Sequence, residues 1–291
     1  MKFASKAETL SSLQGKLQYG QVLPQLHFSV DEWNNSNGEL DIFSDRPEWL
    51  SAPVIVRSSG IAEDTNNGSL AGHFDSVANV CGEVAIKEAI STVINSFHNH
   101  HGKDQVFIQP MLTAVTVSGV AFTRDPNNGG HYDVINYDDR GGSTDTVTAG
   151  SSGDLHIHYS AKSKPPVSGW LAQLVSLLRE LEKAFDHDAL DVEFAVHEDG
   201  NLYLLQVRPL IMKIDSCLNS EEQHSVLERI DARCDALSKP HPYLFGNRSM
   251  FGIMPDWNPA EIIGIRPRPL ALSLYKELVT DNIWAYQRDN Y

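Results

Sequence analysis

The stretch DVEFAVHEDGNLYLLQVRPL (191–210) decides how the rest of the chain is read. Residues 191–196 (DVEFAV) and 202–208 (LYLLQVR) read as two strands. Asp199-Gly200 between them signals a two-residue type I′ turn. That turn sets Glu198 opposite Asn201, Glu193 opposite Gln206 and Asp191 opposite Arg208. Strand side chains alternate, so these last four polar groups gather on one face, at the end of the hairpin away from the turn. Val192, Phe194, Val196, Tyr203, Leu205 and Val207 form the apolar face behind them. Cross-strand Cβ atoms lie about 5 Å apart, so a carboxylate, an amide oxygen and a guanidinium converge. Such a set suits a hard cation and the phosphate it bridges, because Mg2+ takes oxygen ligands and keeps substrate phosphates in its shell. A surface ladder with an Asp191–Arg208 ion pair satisfies the same pattern, and the residues alone leave both readings open.

Working upstream, residues 170–185 form the clearest helix, with Leu171, Leu174, Val175, Leu178, Leu181 and Phe185 on one stripe. The middle of the chain is β-rich: VFIQ (106–109), VSGVAFT (117–123), HYDVIN (131–136) and LHIHY (155–159) read as strands separated by Gly, Asn and Asp. PVIVRS (53–58) is a short apolar strand running into the small-residue loop SSGIAEDTNNGSLAG, and Ile86, Ile90, Val93, Ile94 and Phe97 mark a helix after it. Around Trp33, Asn34, Asn35, Asn37 and Gly38 the chain reads as a loop in a strand-poor stretch. Near the N-terminus, Ser5 and Glu8 have capping-box spacing ahead of Leu10, Leu13 and Leu17. Beyond Pro209 the texture changes: 219–237 reads as a polar helix, and prolines 240, 242, 255, 259, 267 and 269 punctuate the rest. The close on WAYQRDNY, with no capping or tail signal, reads as a cut from a longer polypeptide.

Composition excludes several function classes. The chain has 291 residues, and 23 basic against 38 acidic side chains leave a net charge of −15. A nucleic-acid or anionic-membrane surface needs spread basic charge, so neither is expected as a partner. No apolar run approaches a membrane span, and MKFASKAETL lacks the apolar core of a signal peptide. Three distant cysteines, Cys81, Cys217 and Cys234, with no CxxC pair, point to a reduced cytoplasmic compartment.

Further residues can carry chemistry. The loop after Arg57, with Gly68-Ser69-Leu70-Ala71-Gly72, offers backbone N–H groups able to cradle phosphate oxygens, and Arg57 adds a guanidinium. It matches neither the Walker pattern nor the dinucleotide fingerprint, and an ordinary turn reads the same way. Lys6 opens a helix, where the dipole favours a bound anion, although a solvated lysine also fits. Thr123-Arg124-Asp125-Pro126 ends a strand in a charged turn, and His98-Asn99-His100-His101 reads as a solvated helix end rather than a metal cluster.

Four segments in order, VIVRSSGIAEDTNNGSLAGHFDSVANV (54–80), QPMLTAVTVSGVAFTRDP (109–126), DTVTAG (145–150) and 191–210, resemble the N-terminal ATP-binding domain of the phosphoenolpyruvate synthase and pyruvate phosphate dikinase family. The resemblance covers roughly residues 1–212. It implies an α+β, ATP-grasp-like fold of two lobes, about 1–105 and 106–212, followed by a Pro-rich extension, 213–291, that begins a linker or acceptor-binding domain. It implies ATP and Mg2+ as cofactors in the cleft between the lobes. Carried over, Arg57 and Arg208 contact phosphate and act in transfer, and Gly68, Ser69 and Gly72 cover the phosphates. Gln109 lines the adenine site, Asp145 stands near the polyphosphate, and Glu193 and Gln206 hold the metal. Lys6 falls where the family has a glycine-flanked lysine, but here the context is ASKA. In that family the domain phosphorylates a histidine on a separate carrier domain, which serves a small acceptor. The tail MPDWNPAEIIGIRPRPLALSLYKEL is similar to that of L-glutamine kinases of capsule phosphoramidate synthesis, so the resemblance implies L-glutamine or pyruvate as acceptor. A non-catalytic ATP-sensing module is the alternative.

Overall fold

The computed structural model describes residues 1–37, 40, 47–60, 76–97, 102–140, 155–212, 219–243, 245–249 and 259–289. The architecture is α+β, as expected, with two antiparallel sheets and helices packed on them. The chain divides into two compact units, Met1–Ser225 and Val226–Tyr291.

Both sheets lie in the first unit. The four-stranded sheet runs β1 (Leu26–Ser29), β4 (Gln105–Pro110), β2 (Val54–Ser59), β3 (Ser76–Val80). Its outer face packs on α3 (Glu83–Ser96), where Ile86, Ile90, Val93 and Ile94 meet Val54, Val56, Val106 and Ile108. The five-stranded sheet runs β7 (His156–Ala161), β6 (Tyr132–Asp138), β5 (Val115–Phe122), β8 (Leu190–His197), β9 (Leu202–Pro209). A second core forms where α1 (Lys6–Leu13) and α4 (Gly169–Phe185) bury Leu10, Leu13, Leu174, Leu177, Leu178 and Leu181 with Val192, Phe194, Leu202, Leu204 and Val207. The chain passes from one sheet to the other through residues 111–114, so β4 pairs with the strands of the N-terminal stretch.

Three elements in the N-terminal third escape a reading of apolar periodicity: β1, α2 (Val30–Asn35) and β3. Asn34 and Asn35 belong to a helix rather than a loop, because Ser29 and Glu32 close a complete capping box around its first turn. At α1 only half of the expected box forms. Ser5 Oγ accepts from the Glu8 N–H, while the Glu8 carboxylate takes a hydrogen bond from Gln105 Nε2.

The hairpin turn also differs from expectation. His197 N–H donates to the Asn201 carbonyl, so the loop holds three residues, Glu198, Asp199 and Gly200, with Gly200 at φ 84°. Near the turn Val196 pairs with Leu202 and Phe194 with Leu204. A β-bulge then absorbs Leu205, restoring Glu193 opposite Gln206 and Asp191 opposite Arg208. The buried face therefore carries Leu202, Leu204 and Val207, and Tyr203 and Leu205 turn away from it. The loop is one residue longer than a type I′ turn, and the bulge cancels the slip before it reaches the polar end.

In the second unit, α5 (Ser220–Leu237) crosses in from the first, and α6 (Pro259–Ile263), α7 (Pro269–Tyr275), a π-helical turn (Lys276–Thr280) and α8 (Ile283–Asp289) follow. Pro259 and Pro269 each open a helix, where the missing N–H has no partner to lose. Among the described residues no helix is long and apolar enough to cross a membrane.

Candidate functional site

Residues from four elements meet at one edge of the five-stranded sheet. Asp191 and Glu193 on β8 share a face with Gln206 and Arg208 on β9, as the restored register requires. Arg208 holds Asp191 through Nε and Nη2, both 2.9 Å from Oδ2. Burial raises the Asp191 carboxyl above its ordinary value, opposed first by the Arg208 charge and hydrogen bond and, further off, by Lys6. Glu193 is a fifth exposed and Gln206 is buried. The ion pair and the gathered polar set thus coexist.

Arg57 reaches this cluster from the other sheet. Its Nη2 lies 3.9 Å from Glu193 Oε2, and its guanidinium lies 5.6 Å from the centre of the Phe107 ring on the neighbouring strand. Lys6, the first residue of α1, is 9% exposed and lies close enough to Asp191 to bias its ionisation. The helix is fastened to the Arg57 strand where the Ala7 N–H donates to Ser59 Oγ at 3.0 Å. The ASKA context therefore does not carry Lys6 away from the cluster: the Ala7 N–H bond to Ser59 places its helix. Lys6, Arg57 and Arg208 face Asp191 and Glu193, three cations against two anions, so the described set is suited to an anion. Glu193 and Gln206 offer oxygen donors for a hard cation. Among the described residues no three His, Cys, Asp or Glu side chains assemble for a metal.

Gln109 stands elsewhere on the same side. It is buried on β4 beside the crossover, and donates from Nε2 to Gln25 Oε1 at 3.4 Å. Gly68, Ser69, Gly72 and Asp145, together with the histidines at 98, 100 and 101, lie outside the described residues. Thr123, Arg124 and Asp125 are buried and structural: Thr123 Oγ1 bonds the Asp188 carbonyl and the Leu190 N–H, and Arg124 binds the Gly129 carbonyl through two nitrogens. A cavity of about 610 Å³ opens beside the N-terminus of α1, lined by residues including Phe3, Glu8, Glu32 and Lys103, and no predicted site residue lines it. Sequence reasoning missed Phe107, Ser59 and Gln25 as parts of the site. Only the pairing of β2 with β4 and β1 with β4 brings them in, and no local pattern signals it.

No curated protein matches the chain. Among solved structures, similarity extends to the D-alanine-D-alanine ligase from Coxiella burnetii (TM-score 0.37, 11% identity, 79% of this chain and 59% of that one). The VanG D-Ala:D-Ser ligase from Enterococcus faecalis gives 0.38, 12%, 77% and 60%, and the D-alanine-D-alanine ligase from Helicobacter pylori 0.37, 14%, 78% and 57%. The chain thus spans less than two thirds of the length of these structures. Over residues 40–139, a stretch that includes Arg57, Phe107 and Gln109, it matches the family described as pyruvate phosphate dikinase, AMP/ATP-binding domain.

Proposed function

We propose that the first unit binds ATP with Mg2+ and serves as the nucleotide part of an ATP-dependent phosphotransferase, an ATP-grasp-like enzyme module. The observation that carries this reading is the meeting of Arg57 from one sheet with Glu193 from the other, beside Gln206 and Arg208. The match over residues 40–139 supports it. Phosphoryl transfer asks chiefly for positioning and charge neutralisation. Arg57, Arg208 and Lys6 bind and orient phosphate oxygens, Asp191 holds the Arg208 guanidinium in place, and Glu193 and Gln206 hold the metal. Mg2+, when bound, supplies positive charge between phosphate oxygens. Gly68, Ser69, Gly72 and Asp145 complete the phosphate enclosure, and Gln109 lines the base.

The phosphoryl group passes to a carrier histidine on another domain, in the same polypeptide or in trans, for delivery to a small acceptor. L-glutamine, through its amide nitrogen, and pyruvate are the two acceptors the sequence supports. Residues 213–291 belong to a linker or acceptor-binding domain, and the setting is cytoplasmic.

Titration calorimetry with MgATP tests the reading: the intact chain should bind, and folded Glu193→Ala should lose at least tenfold in affinity, because truncation leaves the metal short of a ligand. Equal affinity in the two proteins removes Glu193 from the site. Incubation with a carrier-histidine domain and labelled ATP then separates transfer from sensing, since a sensor leaves the histidine unlabelled.

A further inference from the structure

Directly opposed residues of antiparallel strands put their side chains on the same face. Gln206, Glu193, Val120, Asn136 and Ile157 oppose one another in turn across β9, β8, β5, β6 and β7. Asn136 therefore stands on the face that carries Glu193 and Gln206, two strands further along the same row. Neighbouring strands lie about 4.8 Å apart, which sets Asn136 about 10 Å from Glu193, with the apolar Val120 between them. A gap of that size takes a phosphate group with the cation it carries.

The side chain of Asn136 is half-buried, and no hydrogen bond joins it to another described residue. Its nearest neighbours on the same strand and face offer a phosphate nothing. Val134 is apolar and buried, and Asp138 is a carboxylate whose Oδ1 already accepts from the Arg140 backbone N–H at 3.0 Å. An amide brings a donor without the negative charge that would repel a phosphate.

The two ends of the row differ. At the β8 end Arg57 closes on Glu193, and Arg208 lies on the next strand. At the other end Ile157, on the edge strand β7, is exposed. A phosphoryl group that is to be passed on must be reachable by its acceptor, so it belongs toward the open end of the row, with the inner phosphates nearer the arginines.

We infer that Asn136 holds the terminal phosphate of the bound triphosphate: its Nδ2 donates to a terminal phosphate oxygen on the side from which an acceptor approaches. The inference rests on the nucleotide reading above. Asn136 then tells a triphosphate from a diphosphate, because a diphosphate leaves the amide without its partner.

Titration calorimetry of the full chain with MgATP and, separately, with MgADP tests it. Asn136→Asp keeps the shape of the side chain and puts a negative charge where the donor stood. It should lose at least about tenfold in MgATP affinity while MgADP affinity moves by less than about threefold. Asn136→Ala removes the donor without adding charge, and serves should the first variant fail to fold. There the ratio of ATP to ADP affinity should fall by about fivefold or more. Weakening of both nucleotides by the same factor marks a structural role and overturns the inference, as does unchanged affinity for MgATP. Either result, with tight MgATP binding by the unaltered protein, overturns this inference alone, whereas binding of neither nucleotide by the unaltered protein overturns the nucleotide reading and this inference with it.

Discussion

Asp133 illustrates how burial sets the behaviour of a single carboxylate. It is fully buried on β6, opposite Ser160 on β7, and Arg179 binds one of its oxygens. Its other oxygen and the Ser160 hydroxyl have no hydrogen-bond partner. Burial raises its pKa above the ordinary value, the Arg179 charge opposing. A carboxyl that holds its proton more tightly folded than unfolded contributes most below its unfolded pKa, and that contribution fades as pH rises through the folded value. In Asp133→Asn the carboxamide can serve Arg179 and Ser160 without a charge, and Arg179 keeps Glu182. The variant should therefore match the parent near pH 4 and be the more stable of the two at pH 7. Urea unfolding of both proteins at several pH values measures this; a difference between variant and parent that does not grow from pH 4 to pH 7 contradicts it. Residues of this kind are poorly legible in sequence. Asp133 sits in an unremarkable HYDVIN run, and what isolates it is the strand opposite. Lys6 and Arg57 were legible through chemical type alone, and Gln25 was not, because its meaning comes from two partners, Ala7 and Gln109, far away in the chain.

Among elements, β5 is the most constrained. Gly119 lies between Tyr137 on β6 and Phe194 on β8, and a Cβ there would stand 2.3 Å from the Asn136 carbonyl oxygen and 2.9 Å from the Phe194 ring. The carbonyl belongs to a paired strand and cannot withdraw, so Gly119→Ala should destabilise the first unit by about 3 kcal/mol, read from denaturant midpoints. A loss below about 1 kcal/mol would show that the two strands part easily. Long amphipathic elements such as α3, α4 and the pair β8–β9 were readable because their period repeats over several turns or alternations. β1 has four residues and α2 six, too short for a period to emerge, and the capping pair Ser29–Glu32 was the one available signal. Turn chemistry misled at Asp199-Gly200: the left-handed glycine was expected, but it completes a three-residue loop. The one trace of the bulge in the sequence is that the expected register sets Leu202 and Leu204 on the polar face with Gln206 and Arg208.

For the whole molecule, ligand linkage offers a direct measurement. A nucleotide at a hundred times its Kd stabilises the folded protein by about 2.7 kcal/mol. At roughly 2–4 °C per kcal/mol for a domain of this size, saturating MgATP should raise the melting temperature by about 5–10 °C. No shift at millimolar MgATP would count against the site. The described side chains of residues 259–286 are none of them buried, so hydrogen exchange there should remain fast whether or not nucleotide is present. The fold class was legible because it follows from alternating patterns and their order. The placement of Arg57 against Glu193 was not, because it depends on how two sheets meet.

On the proposed function, that single contact would couple the metal to the nucleotide. On the same reading, a divalent ion drawn to Glu193 would release the guanidinium, and a triphosphate drawn to Arg57 would release the carboxylate. Each guest removes the obstacle that the other meets, and thermodynamic reciprocity makes the help equal in both directions. Counter-charge already in place would thus favour taking up the two guests together over either alone.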